Sequence, residues 1–481
     1  MEHPVWIPGV PVSCESESTE MACLEETFVV ASSSRGQQLV QYTDAAAPNY
    51  VDPFAVFANK ALELDRDKIQ WRMKMHRYPA SIRELGERYT VPTIVSIGPY
   101  HHGRDHLKKA EEAKHAAAFS CIKLSGVSVQ EMYDAVVSVA DEARSLYDKE
   151  TMAGIKDDDF LPMLFYDACF LVQFMLRKTK TSKRDIHPWL YHFLKSNKDD
   201  IYHDILLLEN QLPLVVLETL ARFTPVNLKN FAKGFRDTLQ NSSRVSTPPK
   251  DFEANKSSSF HDSTSAPLPL RPPHLLGYVR LYIVGTNRSE MYQPHKEAKV
   301  MSFSVSAIEL AEMGITLTPS KTTELAHMGF KEGRLRLSAE LFLPHILLTY
   351  LRASFLANMA AFEITSKPRY EYGEDTAVCS YVQLLGMLMD REDDVQELRS
   401  RRILQGGGLT NKEALDFFTS LQGVTRGRFY YRTIRDVEMY KQNRRIWVRV
   451  YAFGYKYKKT VLAVLSVIAT LSGIFGALSK K

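Results

Sequence analysis

The stretch VPTIVSIGPYHHG, Val91 to Gly103, holds the densest local cluster of unusual residue types in the chain. An apolar, β-compatible run (Ile94, Val95, Ile97) stops at Gly98-Pro99 and delivers Tyr100, His101 and His102 ahead of a second glycine, Gly103. Glycines at both ends suit backbone angles that other residues avoid. Two imidazoles suggest metal ligation or general-base chemistry. Neighbouring residues on an extended segment point in different directions, so the pair makes no bidentate site unaided. No His-Glu-x-x-His frame surrounds them. The residues alone favour a structural turn, with Tyr100 as an anchor and the histidines as hydrogen-bonding wedges.

Beyond Gly103 the pattern turns helical. Leu107, Ala110, Lys114, Ala117 and Cys121 fall on one stripe, and the apolar positions of Val129–Tyr147 keep a 3.6-residue period, predicting one amphipathic helix of about five turns. Phe160–Leu176 has 14 apolar residues of 17 and is predicted to be a helix buried nearly all round, with Asp157-Asp158-Asp159 as its N-cap and first-turn charge. In DILLLENQLPLVVLETL, Asp204–Leu220, the Glu209-Asn210-Gln211 group before Pro213 predicts one helix ending and another starting, with Asn210 or Gln211 near the cap. Further along, Leu276–Val284 reads as β-compatible, Ile308–Ile315 as a short helix stopped at Gly314, and HMGFKEGRLRL around Gly333 as a hairpin. Leu341–Phe362 and Tyr381–Leu398 read as long helices, Gly406-Gly407-Gly408 as a loop, and Thr410 with Glu413 as a capping box. The fold class predicted is mainly α: a multi-helix globular body, a small β-hairpin element and a single C-terminal transmembrane helix.

The last of these rests on Thr460–Leu478, 19 residues without a charge, close to the ~20 needed to cross a bilayer core. Lysines flank it, and Tyr451, Phe453, Tyr455 and Tyr457 precede it where an interfacial aromatic belt would lie. Net charge is +5 overall, but the residues from Arg426 onward carry 13 Lys/Arg against Asp436 and Glu438. A basic stem beside an apolar span suits anionic lipid head groups better than nucleic acid. Seven Lys/Arg within Lys441–Lys459 against two after the span place the bulk of the chain in the cytosol by the positive-inside rule, as a single-pass, tail-anchored protein of the plasma membrane or an endomembrane. Three Asn-x-Ser sequons, Asn241, Asn255 and Asn287, point mildly the other way and matter only on a lumenal face.

The organisation expected is a flexible tail (1–50), an N-terminal helical half (51–240), a Ser/Thr/Pro-rich disordered linker (241–275), a C-terminal half (276–425), a basic aromatic stem (426–459) and the span (460–478). Five scattered cysteines without Cys-x-x-Cys spacing predict neither a disulfide framework nor a metal knuckle. Asp167 and Glu209, each inside an apolar segment, could form a carboxylate pair, but the Glu-x-x-His partners of bundle metal sites are missing, so Asp167 is expected to cap or to pair with a buried arginine or backbone group. Nucleophile elbows, phosphate loops and dinucleotide fingerprints are missing as well.

Several segments together resemble the plant family called domain of unknown function 247. They are VSIGPYHHG with Leu107 and Lys114, DACFLV (Asp167–Val172), DILLLENQLPLVVLE (Asp204–Glu218), Ala307–Leu310 with Gly314, RLRLSAELF, MAAFE (Met359–Glu363) and the C-terminal apolar run. The chain departs at Ala110-Glu111-Glu112-Ala113, where the family has a Met-Glu pair, and at Ala357-Asn358-Met359, where it has Arg-Asn-Leu. The resemblance implies a helix-rich, membrane-associated plant protein without assigned catalysis and without a cofactor. The function expected is a non-enzymatic interaction or signalling protein with protein partners, in recognition, growth or defence. The competing readings are an enzyme using His101 or His102, and lipid or nucleic-acid binding through the stem.

Overall fold

A computed structural model describes residues 71–177, 186–240, 271–285, 305–322, 324–333, 338–366 and 376–444, with the isolated positions 60, 457, 463 and 466–472. The expected tail (1–50), most of the linker (241–270), the sequons Asn241, Asn255 and Asn287, and most of Thr460–Leu478 lie outside them. Within the span, residues 466–472 are helical, with Val467, Ile468 and Leu471 exposed.

The central pair of helices is Lys108–Ser125 and Asp157–Leu176, which pack on each other. On the first, Ala110, Ala113, Lys114, Ala117 and Cys121 are buried, and small side chains let the second approach closely. The second buries 14 residues from Phe160 to Leu176. It is the one helix among the described residues long and apolar enough to cross a bilayer, and its burial makes it a core helix. Asp157–Asp159 supply its first-turn charge as expected, but the cap position is Lys156. Asp157 instead receives Arg144 Nη2 at 2.6 Å.

Three predicted helices are broken. Val129–Tyr147 is two helices, Val129–Val137 and Ala140–Leu146. Ser138 Oγ turns back to the Ala135 carbonyl (2.7 Å) and Val139 leaves helical angles, which an apolar period continuing on both sides conceals. Tyr381–Leu398 is likewise two, Ala377–Leu388 and Glu392–Ser400. The second starts where Asp394, fully buried, accepts the N–H groups of Asp390, Arg391 and Ile308. Leu341–Phe362 begins as strand and becomes helix only at Tyr350–Thr365, capped by Thr349. Conversely Leu276–Val284 is no strand but the helix Leu275–Val284, opened by His274 Nδ1 accepting from Gly277 N–H. A short apolar run has no period of its own, and this one is buried on nearly every side.

The small β element is larger than a hairpin. Strands β1 (Ile315–Pro319), β2 (Gly329–Glu332) and β3 (Ala339–Leu343) form a sheet in the order β1-β3-β2, with β3 parallel to β1 and antiparallel to β2. Residues 334–337 between β2 and β3 lie outside the described set. Strand β4 (Ile346–Leu347) pairs in parallel with β5 (Leu404–Gln405). The short helix Ala307–Glu312 carries a Ser306/Glu309 capping box and stops before Gly314, and Asn411–Ser420 opens on the predicted Thr410/Glu413 box.

Both halves of the sequence share one hydrophobic core. Helix Leu228–Gln240 packs on Leu275–Val284, which packs on Tyr350–Thr365. The predicted stem is partly body: Arg428–Asn443 is a helix whose Tyr430, Ile434, Val437 and Tyr440 are buried against Ala377–Leu388 and β2.

Candidate functional site

Residues 91–98 form no helix and join no sheet, and the chain bends at Val91, Thr93, Ile94 and Gly98. A buried segment without a neighbouring strand leaves its N–H groups to be satisfied by side chains or water, and here three side chains from far along the sequence do so. Asp204, the last residue of helix Lys198–Asp204, accepts the N–H groups of Thr93 (2.9 Å), Ile94 (2.7 Å) and Val95 (2.9 Å). Asn210 Oδ1 accepts from Ile97 N–H at 2.7 Å, while its amide donates to the carbonyls of Val95 (3.0 Å) and Asp204 (2.9 Å). Asp167 Oδ2 accepts from Gly98 N–H at 2.7 Å. Asp204, Asn210 and Asp167 are all wholly buried.

Asp167 also carries the charge balance. Its Oδ1 lies 2.7 Å from Lys114 Nζ, itself buried and 2.7 Å from Glu111. Burial pushes the Asp167 carboxyl up, opposed by Lys114. Burial works to lower Lys114, and the Asp167 and Glu111 carboxylates outweigh it, so the ammonium stays charged. The partner expected for Asp167 is an arginine or a backbone group; it has a lysine and a backbone group. Glu209 is not part of this pair. It accepts Tyr78 N–H (2.7 Å) and meets Arg77 (3.3 Å), so the two carboxylates do not share a site.

The signature residues divide by role. Gly98 has φ 72°, and a Cβ there would lie 2.5 Å from the Gln211 carbonyl oxygen and 2.8 Å from Tyr147 Oη, so conformation and space both demand glycine. Pro99–His101 is a 3₁₀ turn. Tyr100 donates to the Met75 carbonyl at 2.6 Å with Arg77 3.9 Å above its ring, the anchor role predicted. His101 is 3% exposed with no partner on either ring nitrogen, and burial, aided by Arg104 and Arg77, lowers its pKa to about 4. It is therefore neutral at pH 7. His102 and Gly103 are exposed, with Gly103 at φ 77°. The two imidazoles thus face different environments and converge on nothing.

Asn210 and Gln211 lie near the start of the next helix, Leu214–Ala221, but its cap position is Pro213 and neither side chain caps it. Gln211 Nε2 gathers the carbonyls of Ile205 (2.8 Å), Leu207 (2.8 Å) and Asn210 (3.1 Å), and its Oε1 accepts from Leu276 N–H (3.0 Å) at the start of another helix. Two further buried clamps had no sequence signal beyond a polar residue in an apolar run. Asn358 accepts from Tyr78 Oη (2.6 Å) and Leu208 N–H (2.9 Å) and donates to Tyr89 (3.0 Å) and Ser354 (2.9 Å) carbonyls. Glu363, paired with Arg280 at 2.5 Å, accepts Val378 and Cys379 N–H, capping the Ala377–Leu388 helix from a neighbour.

One pairing of a hydroxyl with an imidazole occurs elsewhere among the described residues. Ser320 Oγ lies 2.6 Å from His327 Nδ1, but no carboxylate among the described residues orients that ring. No group of three His, Cys, Asp or Glu that could hold a metal occurs among the described residues.

The lattice joins the segments that carry the family likeness: VSIGPYHHG, the Asp167 segment, the Asp204–Gln211 segment and the Asn358–Glu363 helix. The model of domain of unknown function 247, described as a plant protein of unknown function, matches residues 75–475. The chain belongs to this family. A UPF0481 protein of Arabidopsis thaliana is 25% identical over 366 residues, covering 72% of this chain and 71% of the relative. No solved structure matches. Within the domain of unknown function 247 family, then, the signature segment of this chain is a buried strut whose polar partners are engaged in holding it.

Proposed function

We propose that this chain is a non-enzymatic interaction protein, tail-anchored in a plant membrane, whose rigid helical body presents surfaces to protein partners on the cytosolic side. The observation that carries the non-catalytic part is the commitment of the signature polar groups to the fold. Asp204, Asn210 and Asp167 each spend their acceptors on backbone N–H groups or Lys114, and neutral, buried His101 has no hydrogen-bond partner on either ring nitrogen. General acid–base work needs a group within hydrogen-bond reach of a substrate proton, and these groups face inward.

The anchoring part is supported by the uncharged Thr460–Leu478 run and by the exposed apolar side chains of Val467, Ile468 and Leu471 on its helical middle. The basic residues from Lys441 to Lys459 suit the anionic cytosolic leaflet, each contributing about 1 kcal/mol near the surface. The test is carbonate extraction and protease protection of the full chain on microsomes, with glycosylation mapping of Asn241, Asn255 and Asn287. Resistance to carbonate, with the body open to protease and the sequons unmodified, is the expected outcome. Release by carbonate removes the anchor, and glycosylated sequons invert the topology. The non-catalytic reading is tested with a His101→Ala/His102→Ala variant that remains folded. Loss of a cellular function retained by partner-binding controls would favour the enzymatic reading.

A further inference from the structure

The Glu392–Ser400 helix ends in a two-bond cap: Arg402 N–H donates to the Arg399 carbonyl (2.9 Å) and Ile403 N–H to the Leu398 carbonyl (3.0 Å), with Leu398 and Ile403 both buried. This closure requires a left-handed residue immediately after the cap, the position where helices most often place glycine. Arg402 occupies it at φ 60°. The other positive φ values among the described residues, at Gly86, Gly98, Gly103, Gly126, Gly285, Gly314 and Gly406, all belong to glycine. At this turn alone a long cationic side chain stands against the local steric preference.

That side chain lines a groove of about 570 Å³ together with Arg399, Leu404, Gln405 and Gly406. The charges around it are unbalanced. Arg399 is half-buried and donates to the Gly406 carbonyl, the Leu409 carbonyl (2.7 Å) and Asn411 Oδ1 (2.8 Å), all neutral acceptors. Burial without a carboxylate beside it lowers the Arg399 pKa. Arg402 meets no carboxylate among the described residues. Their neighbour Arg401 is neutralised, by Glu397 at 2.7 Å. A partly buried cation held by neutral groups favours an incoming anion, and a planar guanidinium presents paired donors to two oxygens of one oxyanion.

We infer that this groove is an anion site, in which Arg402, backed by Arg399, receives the phosphate group of a phosphate monoester. The volume exceeds that of the bare ion, so the ester's remaining body would lie along Gln405 and Gly406. This site is independent of the membrane anchor and of the Val91–Gly103 lattice.

The test is calorimetric titration of the full chain in neutral detergent with phosphoserine, inorganic phosphate and acetate. Saturable binding of phosphoserine, weaker binding of inorganic phosphate and none of acetate are expected. Preference for the inorganic ion overturns the ester, and preference for acetate overturns phosphate chemistry. Arg402→Gly should weaken phosphoserine binding by about tenfold or more, the worth of a charge-assisted contact. The same change should raise the melting temperature by about 1–2 °C, because glycine suits the left-handed cap. Gln405→Glu, which sets a carboxylate in the groove, should weaken binding without raising the melting temperature. Absence of saturable binding, or equal binding by Arg402→Gly, overturns the site. An unchanged or lower melting temperature in Arg402→Gly overturns the argument that the arginine is kept against the fold's preference.

Discussion

Replacing Asp204 tests whether the signature segment is held by side chains in place of a strand. Its Oδ2 accepts Ile94 N–H and Val95 N–H, and its Oδ1 accepts Thr93 N–H, Thr93 Oγ1–H (3.3 Å) and faces His203 Nδ1 (2.9 Å). Asp204→Ala strands three backbone donors, each costing about 1–3 kcal/mol when buried and unpaired, for a total of about 3–9 kcal/mol. Thr93 is exposed and Ile94 half-buried, so water reaching their freed N–H groups brings the loss toward the lower figure. Against a folding stability of about 5–15 kcal/mol this is a large fraction or the whole. Asp204→Asn is milder. Its carbonyl can keep the Ile94 and Val95 bonds, while the amide confronts Thr93 N–H, for a loss of about 1–3 kcal/mol. Thr93→Val removes one weak bond and should cost about 1 kcal/mol or less. Urea unfolding of the full chain, followed by tryptophan fluorescence, should rank the variants in that order below the native chain. If Asp204→Ala loses less than about 1 kcal/mol, the segment is held by something else and the strut account is wrong.

Gly98→Ala should destabilise by more than the ~1–2 kcal/mol of a left-handed alanine, because its Cβ meets the Gln211 carbonyl at 2.5 Å; a thermal melt matching the native chain would contradict the geometry. Lys114→Met leaves Asp167 buried and unpaired and should cost about 3–5 kcal/mol, with part recovered in Lys114→Met/Asp167→Asn; simple additivity in denaturant titrations would deny the coupling. Buried His101 and His76, each lowered to about 4, and His274, lowered to about 3, bind fewer protons folded than unfolded. Stability should therefore be fully present above pH 6.5 and fall as pH drops toward 4. Replacing His101 with Gln should flatten that slope in urea titrations across the same window, and an unaltered slope would show that His101 does not contribute.

The sequence carried the parts of this fold that repeat along a helix. The stripe through Leu107, Ala110, Lys114, Ala117 and Cys121 is buried as its period requires, and Thr410/Glu413 caps the helix it precedes. The break at Ser138-Val139 was hidden because the apolar spacing continues across it, and the break at Asp390-Arg391 because the charged run Asp390–Asp394 suits an exposed helix face as well as a turn. The strand β3 was hidden because Ala339–Leu343 is separated only by Pro344-His345 from the apolar residues that lead to the helix beyond Thr349. The role of Val91–Gly103 as a turn and anchor was readable from Gly98 and Tyr100. The groups that hold it were not, because Asp167, Asp204 and Asn210 lie 69 to 115 residues away and spacing says nothing of such partners. Arg402 was equally unreadable, since a left-handed arginine looks like any other in sequence.

Asn358 ties the chain before residue 240 to the chain after 275, through Tyr78, Tyr89 and Leu208, while Gln211 holds the start of the Leu275–Val284 helix. Neither half owns a complete interior. A polypeptide cut once between 241 and 270 should thus migrate as a single particle, and the two fragments, expressed separately, should reconstitute it. The same joins mean that neither fragment alone is a sound reagent for mapping partners, because each would display as surface what the intact protein keeps inside.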